Sequence, residues 1–208
     1  MKTLKRLMLT AMITSILLLP IGNTALAGQE EAPVQSMEFL PGDMPAGMSP
    51  AESMAPALHG VILAMMNHDA ASFDTGSAEL TWECLYNMLS LYGQLDSRSE
   101  IQDDLLLFPV ETAQDYAAAL DVVLAELPPL PEDLTDRLTY DQGVYRAVCG
   151  NDCLSQLQVR EVQSTPDGLR LTGALVYIVE NRDLVQFQAT LQPRDNMFGY
   201  AVTGLTLK

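Results

Sequence analysis

The sequence predicts an α+β fold, with two or three helices in the first half packed on a curved antiparallel sheet formed mainly by the second half. Three observations predict it. Val185 to Gln192 alternates apolar and polar residues without a break. Apolar residues recur at helical spacing through Met54–Met65 and again through Trp82–Tyr92. Short turn signals separate four successive strands between Leu154 and Lys208.

Residues 1–27 read as a secretory signal peptide. Lys2, Lys5 and Arg6 form a positive start, Leu7 to Leu19 an apolar run, and Ala25-Leu26-Ala27 a small-x-small cleavage site. Cleavage after Ala27 makes Gly28 the first mature residue. The apolar run falls short of the ~20 residues that a spanning helix needs, so no membrane span is expected after cleavage. The expected location is the periplasm, the cell envelope or the outside of the cell. Residues 28–48 are rich in Pro, Gly, Met and Glu, lack periodicity and read as a flexible tail. Residues 49–208 then form a single domain, long enough for a substantial core.

The first helix starts at Ser49-Pro50-Ala51-Glu52, where Ser caps, Pro suits the first turn and Glu closes a capping box. Pro56 kinks this helix or restarts it. Met54, Leu58, Val61, Ile62 and Met65 form its apolar stripe; the methionines read as core filling. Ser77 caps the second helix. Its buried side carries Trp82, Leu85, Leu89 and Tyr92, while Glu83, Asn87 and Ser90 face out and Gly93 ends it in a left-handed cap. As the most apolar helix, it is expected to cross the sheet. Asp103 to Pro109 reads as a short extended segment. Thr112 caps a third helix that buries Tyr116, Leu120, Val123 and Leu127 and stops at Pro128-Pro129.

Arg137–Tyr140 and Val144–Cys149 form a hairpin around Asp141-Gln142-Gly143. Strands follow near Leu157–Val162, Leu169–Val179, Val185–Gln192 and Tyr200–Leu207. Their turns are Pro166-Asp167-Gly168, Glu180-Asn181-Arg182-Asp183 and Pro193-Arg194-Asp195-Asn196. In the third of these strands Val185, Phe187, Ala189 and Leu191 share one face, and the glutamines with Thr190 share the other. Loops this short make the strands antiparallel neighbours.

Helices, a short strand, a further helix and a run of antiparallel strands together resemble the NTF2-like (cystatin-like roll) architecture. The resemblance rests on element order over most of the mature chain and on no diagnostic motif. It implies a curved sheet wrapped around helices, with a pocket lined by Trp82, Tyr86 and strand residues such as Phe187. Fold alone does not give function.

Charge excludes some partners. The chain holds 27 acidic and 11 basic residues, for a formal net charge of −16. Three of those basic residues lie in the leader, so the mature chain carries 8 and a net charge of −19. Such a chain repels phosphate backbones, and nucleic-acid binding is not expected. Of the three cysteines, Cys149 and Cys153 bracket a turn and are the candidate disulfide, permitted by export. Cys84 reads as a buried thiol.

Catalytic signatures are sparse. The chain has two histidines, His59 and His68, nine positions apart, so they do not share a helix face as metal ligands at i and i+4 would. His68 with Asp69 and Asp74 is the candidate acid–base group that an NTF2-like hydratase or isomerase would need. A helix end followed by an acidic loop accounts for the same residues. Asp103-Asp104 and Asp195 lack calcium-loop spacing, and neither a metal nor a cofactor is implied. The leading expectation is therefore a non-enzymatic exported module that binds a protein, a peptide or a small apolar ligand. The enzyme around His68 is its rival. A homodimer through the exposed sheet face is a third reading, against which the polar face of Val185–Gln192 argues.

Overall fold

The computed structural model describes residues 48–150 and 154–208. The leader, the tail before Met48 and Cys153 lie outside the described residues. Four α-helices are described: α1 (Pro50–Ser53), α2 (Ala55–Asn67), α3 (Ala78–Tyr92) and α4 (Val110–Ala118). The strands are β1 (Glu100–Gln102), β2 (Leu105–Pro109), β3 (Leu138–Asp141), β4 (Val144–Val148), β5 (Ser155–Thr165), β6 (Gly168–Tyr177), β7 (Arg182–Pro193) and β8 (Tyr200–Leu207). The fold is α+β. Its strands divide into two antiparallel sheets, ordered β1-β2-β4-β3 and β5-β6-β7-β8, rather than forming one curved sheet. In place of the single short extended segment expected before the last helix, the Asp103 turn makes a hairpin of β1 and β2, and β2 then pairs with β4.

The start of the domain follows its sequence signals. The Ser49 hydroxyl accepts from Glu52 N and the Glu52 carboxylate accepts from Ser49 N, which closes the capping box. Pro56 sits in the first turn of α2, so the helix restarts there instead of kinking. Ser77 caps α3 through Leu80 N.

Several helix features differ from expectation. Helix α2, not α3, lies on the C-terminal sheet, touching β5 and β8; α3 runs between α2 and the β2–β4 sheet. Buried on every side, α3 hides Glu83, Asn87 and Ser90, residues that its amphipathic pattern sends to solvent. Gly93 has φ −60° and continues into a 3-10 turn. What fixes glycine there is space, since a Cβ would stand 2.7 Å from Leu106 Cδ2. Helix α4 starts at Val110 after Pro109, and Thr112 is buried within it. It ends at Ala118, so Val123 is exposed and Leu124, in the 3-10 turn beyond, takes the buried position.

The C-terminal sheet is amphipathic. Leu171, Leu175, Phe187, Ala189, Leu191, Val202 and Leu205 join the core on its helix side. Its other face carries Gln158, Gln163, Gln186, Gln188, Thr172 and Thr190 in register. The turn between β6 and β7 comes earlier than predicted: β6 ends at Tyr177, and Ile178 and Val179 are exposed in the turn. Strand β8 is closed on its outer side. Phe73 N donates to Leu205 O, Leu207 N donates to Ala71 O, and Ser72 bridges Thr206.

Candidate functional site

The residues singled out from sequence do not converge. His68 caps the end of α2 and faces Glu79 at 4.0 Å, while Asp69 and Asp74 are exposed in the loop that follows. The Asp74 carboxylate accepts from Gly76 N and so holds its own turn. Trp82, Tyr86 and Phe187 are core residues with 5%, 8% and 2% exposure, and they do not line a pocket together. The Trp82 indole donates to Pro128 O at 2.9 Å, and the Arg137 guanidinium stacks 4.9 Å from the centre of the Tyr86 ring. Cys149 is a half-buried free thiol whose expected partner, Cys153, is outside the described residues. Cys84 is fully buried, as expected, and burial followed by the Glu83 charge pushes its thiol pKa up.

The clefts formed by described residues include three open ones. They measure about 270, 260 and 210 Å3 and lie beside Val123 and Pro128, beside Arg98 and Phe108, and beside Arg194 and Asn196. All fall below the roughly 300–1,000 Å3 of small-molecule sites. None includes His68, Trp82, Tyr86 or Phe187. Among the described residues no group of three or more His, Cys, Asp or Glu could hold a metal ion, and no helix is long and apolar enough to cross a membrane.

The structure instead gathers buried polar groups that sequence reasoning missed. Glu83 accepts from both Arg137 terminal nitrogens, at 2.9 and 3.2 Å, and from the Asn67 amide at 3.2 Å. His59, on α2, is 3% exposed. Its Nδ1 lies 2.6 Å from the Tyr92 hydroxyl of α3 and its Nε2 lies 3.2 Å from the Ser155 hydroxyl of β5. Burial lowers the His59 pKa to about 4, so the ring is neutral at pH 7. One ring nitrogen donates and the other accepts, and both hydroxyls can serve either role. This trio ties two helices to β5. A third cluster joins Asp96 to Arg98 at 2.6 Å and Arg98 to Asp115 at 2.8 Å, fixing α4 beside the turn after α3. Burial raises the Asp96 pKa, but hydrogen bonds from Arg98 outweigh it and hold the carboxyl below its ordinary range. Asp96 and Arg98 are two residues apart, but no sequence signal marks the other pairings, whose partners are supplied by distant elements.

The feature best suited to meet another molecule is the strand that His59 anchors. Strand β5 is eleven residues long and forms the edge of its sheet. Arg160 to Ser164 are exposed, and Val162 is 49% exposed. The other three edges are short or covered: β1 has three residues, β3 has four, and β8 is closed by Ala71–Phe73. No described strand pairs with the outer side of β5. No known protein family, curated protein or solved structure matches the chain.

Proposed function

We propose that the protein is an exported, non-catalytic module that works by binding another polypeptide along β5. The supporting observation is the length and exposure of that edge. An open edge presents a row of backbone donors and acceptors that an added strand satisfies, and natural sheets otherwise shorten, cover or charge such edges. Export, with cleavage after Ala27, is supported by the leader's charge, apolar run and small-x-small site. A Cys149–Cys153 disulfide would be compatible with that destination. The small-ligand alternative loses its lining, since Trp82, Tyr86 and Phe187 are packed into the core. No placement of His68, Asp69 or Asp74 favours an acid–base enzyme.

A photo-crosslinking amino acid at Gln163, on β5, tests the reading against the same probe at Thr203, on the opposite edge strand. Expressed in the producing cell, the Gln163 probe should give a discrete polypeptide adduct that the Thr203 probe does not. Equal labelling at the two positions, or none at Gln163, would count against binding along β5.

A further inference from the structure

Strand β5 carries a local irregularity at its centre. Val159 is registered with Gly173 and Glu161 with Thr172, so Arg160 is an extra residue in a bulge. Both neighbours of the bulge can be assigned to a face through the strands beside them. Val159 and Val162 register with Gly173 and Leu171, which in turn register with Phe187 and Ala189 on the core side. Gln158, Glu161 and Gln163 register with Ala174, Thr172 and Arg170, which face outward with Gln186, Gln188 and Thr190. Arg160 also lies outward, since its guanidinium reaches across to Asp183 at 2.6 and 2.9 Å. Val159 and Val162 therefore share a face, although residues three apart on a regular strand point to opposite faces.

Read in both directions from the Arg160–Glu161 bond, the middle six residues of the strand correspond, from Gln158 to Gln163. Arg160 answers Glu161, Val159 answers Val162 and Gln158 answers Gln163. In each pair both members lie on the same face. A regular strand cannot achieve this about a point between two residues, because opposed residues of an antiparallel pair must share a face. The bulge removes the conflict.

We infer that the occupant of the β5 edge is a second copy of this chain, paired antiparallel about a two-fold axis that passes between Arg160 and Glu161. This rests on the polypeptide-binding reading above and names its partner. The two sheets would join into one of eight strands, with the helices of both copies on the same side. Two-fold symmetry makes every contact occur twice. Arg160 of each copy stands in register with Glu161 of the other, which its guanidinium reaches by turning from Asp183 to the edge, and the exposed Val162 gains Val159 of the second copy as a neighbour. The register is specified by charge, since sliding by one residue sets Glu161 against Glu161 or Arg160 against Arg160. The interface is the strand edge, so the glutamine-rich outer face stays wet.

Sedimentation of the purified protein over a concentration range tests this, together with Arg160→Glu and Glu161→Arg. Both positions are exposed, and circular dichroism checks that each variant folds. The wild type should dimerise. Each single variant places like charges opposite one another twice and should weaken self-association by about tenfold or more. An equal mixture of the two variants should restore the dimer as a heterodimer, because one variant then presents two acidic side chains at the axis and the other presents two basic ones. A wild type that stays monomeric, or a dimer indifferent to both substitutions, overturns the inference. Monomeric protein whose Gln163 probe still crosslinks to a different polypeptide would overturn self-pairing and leave the wider proposal standing. Monomeric protein with no crosslink would remove both.

Discussion

Glu83 and Arg137 form a two-pronged ion pair between α3 and the start of β3, with the carboxylate almost fully buried and the guanidinium side chain 39% exposed. Removing the exposed partner strands the buried one. Arg137→Met leaves an uncompensated carboxylate inside the fold, and the penalty for breaking such pairs is about 3–5 kcal/mol. Because Arg137 is partly in water, a loss at the lower end, about 3 kcal/mol, is expected from urea denaturation. The double variant Glu83→Gln/Arg137→Met should recover part of it. A single variant as stable as the wild type would show that the pair carries no weight.

The His59 ring makes stability depend on pH with a definite sign. Its pKa is about 4 in the folded chain against 6.5 for an unperturbed histidine. Between these values the unfolded chain holds the extra proton, so acidification favours unfolding. Stability is highest above pH 6.5 and falls as pH drops from 6.5 to 4, by about 3 kcal/mol in all. His59→Gln keeps a hydrogen-bonding side chain but cannot titrate there. Denaturation midpoints measured across this window should fall more steeply for the wild type than for the variant. Parallel profiles would assign the pH dependence to other groups.

Thiol reactivity should separate the cysteines. Cys84 is fully buried and its pKa is raised by burial, so it resists alkylation until the protein unfolds. Cys149 is half-exposed. Mass spectrometry after brief iodoacetamide treatment of reduced, folded protein should find Cys149 modified and Cys84 intact. Rapid labelling of Cys84 would contradict its buried place on α3.

Gly60 sits where α2 crosses α3. A Cβ there would stand 2.5 Å from Met88 Cγ and 3.0 Å from Cys84 O. Helix propensity alone predicts that Gly60→Ala stabilises by about 1 kcal/mol. The close approach predicts the opposite, because overpacking typically costs about 1–3 kcal/mol. A lower melting temperature is the expected result, and a higher one would show that the helices separate easily.

These contrasts mark how far the sequence could be read. Ser49-Pro50-Ala51-Glu52, Ser77 and the alternation in Val185–Gln192 encode local structure, and each appears where its pattern puts it. What the chain writes less plainly is which elements meet. Glu83, Asn87 and Ser90 repeat like a solvent face, yet α2 and the β3–β4 hairpin cover them. The division into two sheets depends on Asp103, whose φ of 57° turns β1 back on β2, and an Asp-Asp pair is a weak turn signal. Trp82 and Tyr86 have the chemistry of a pocket lining, but packing density rather than residue type decides whether a pocket exists. The self-match of β5 is present in its letters. It acquires meaning only once β5 is known to be an edge and Arg160 to be a bulge.

The closing of β8 by Ala71–Phe73 sets an order on assembly. The segment behind α2 has its hydrogen-bonding partners in Leu205, Thr206 and Leu207, which are synthesised long after it. The β6–β7 hairpin can form from neighbouring residues, but this clasp joins positions more than a hundred residues apart in the chain. Until β8 arrives, the segment that follows α2 lacks these hydrogen bonds. For a polypeptide proposed to be threaded across a membrane before folding, late fastening keeps the chain pliable for as long as the passage lasts.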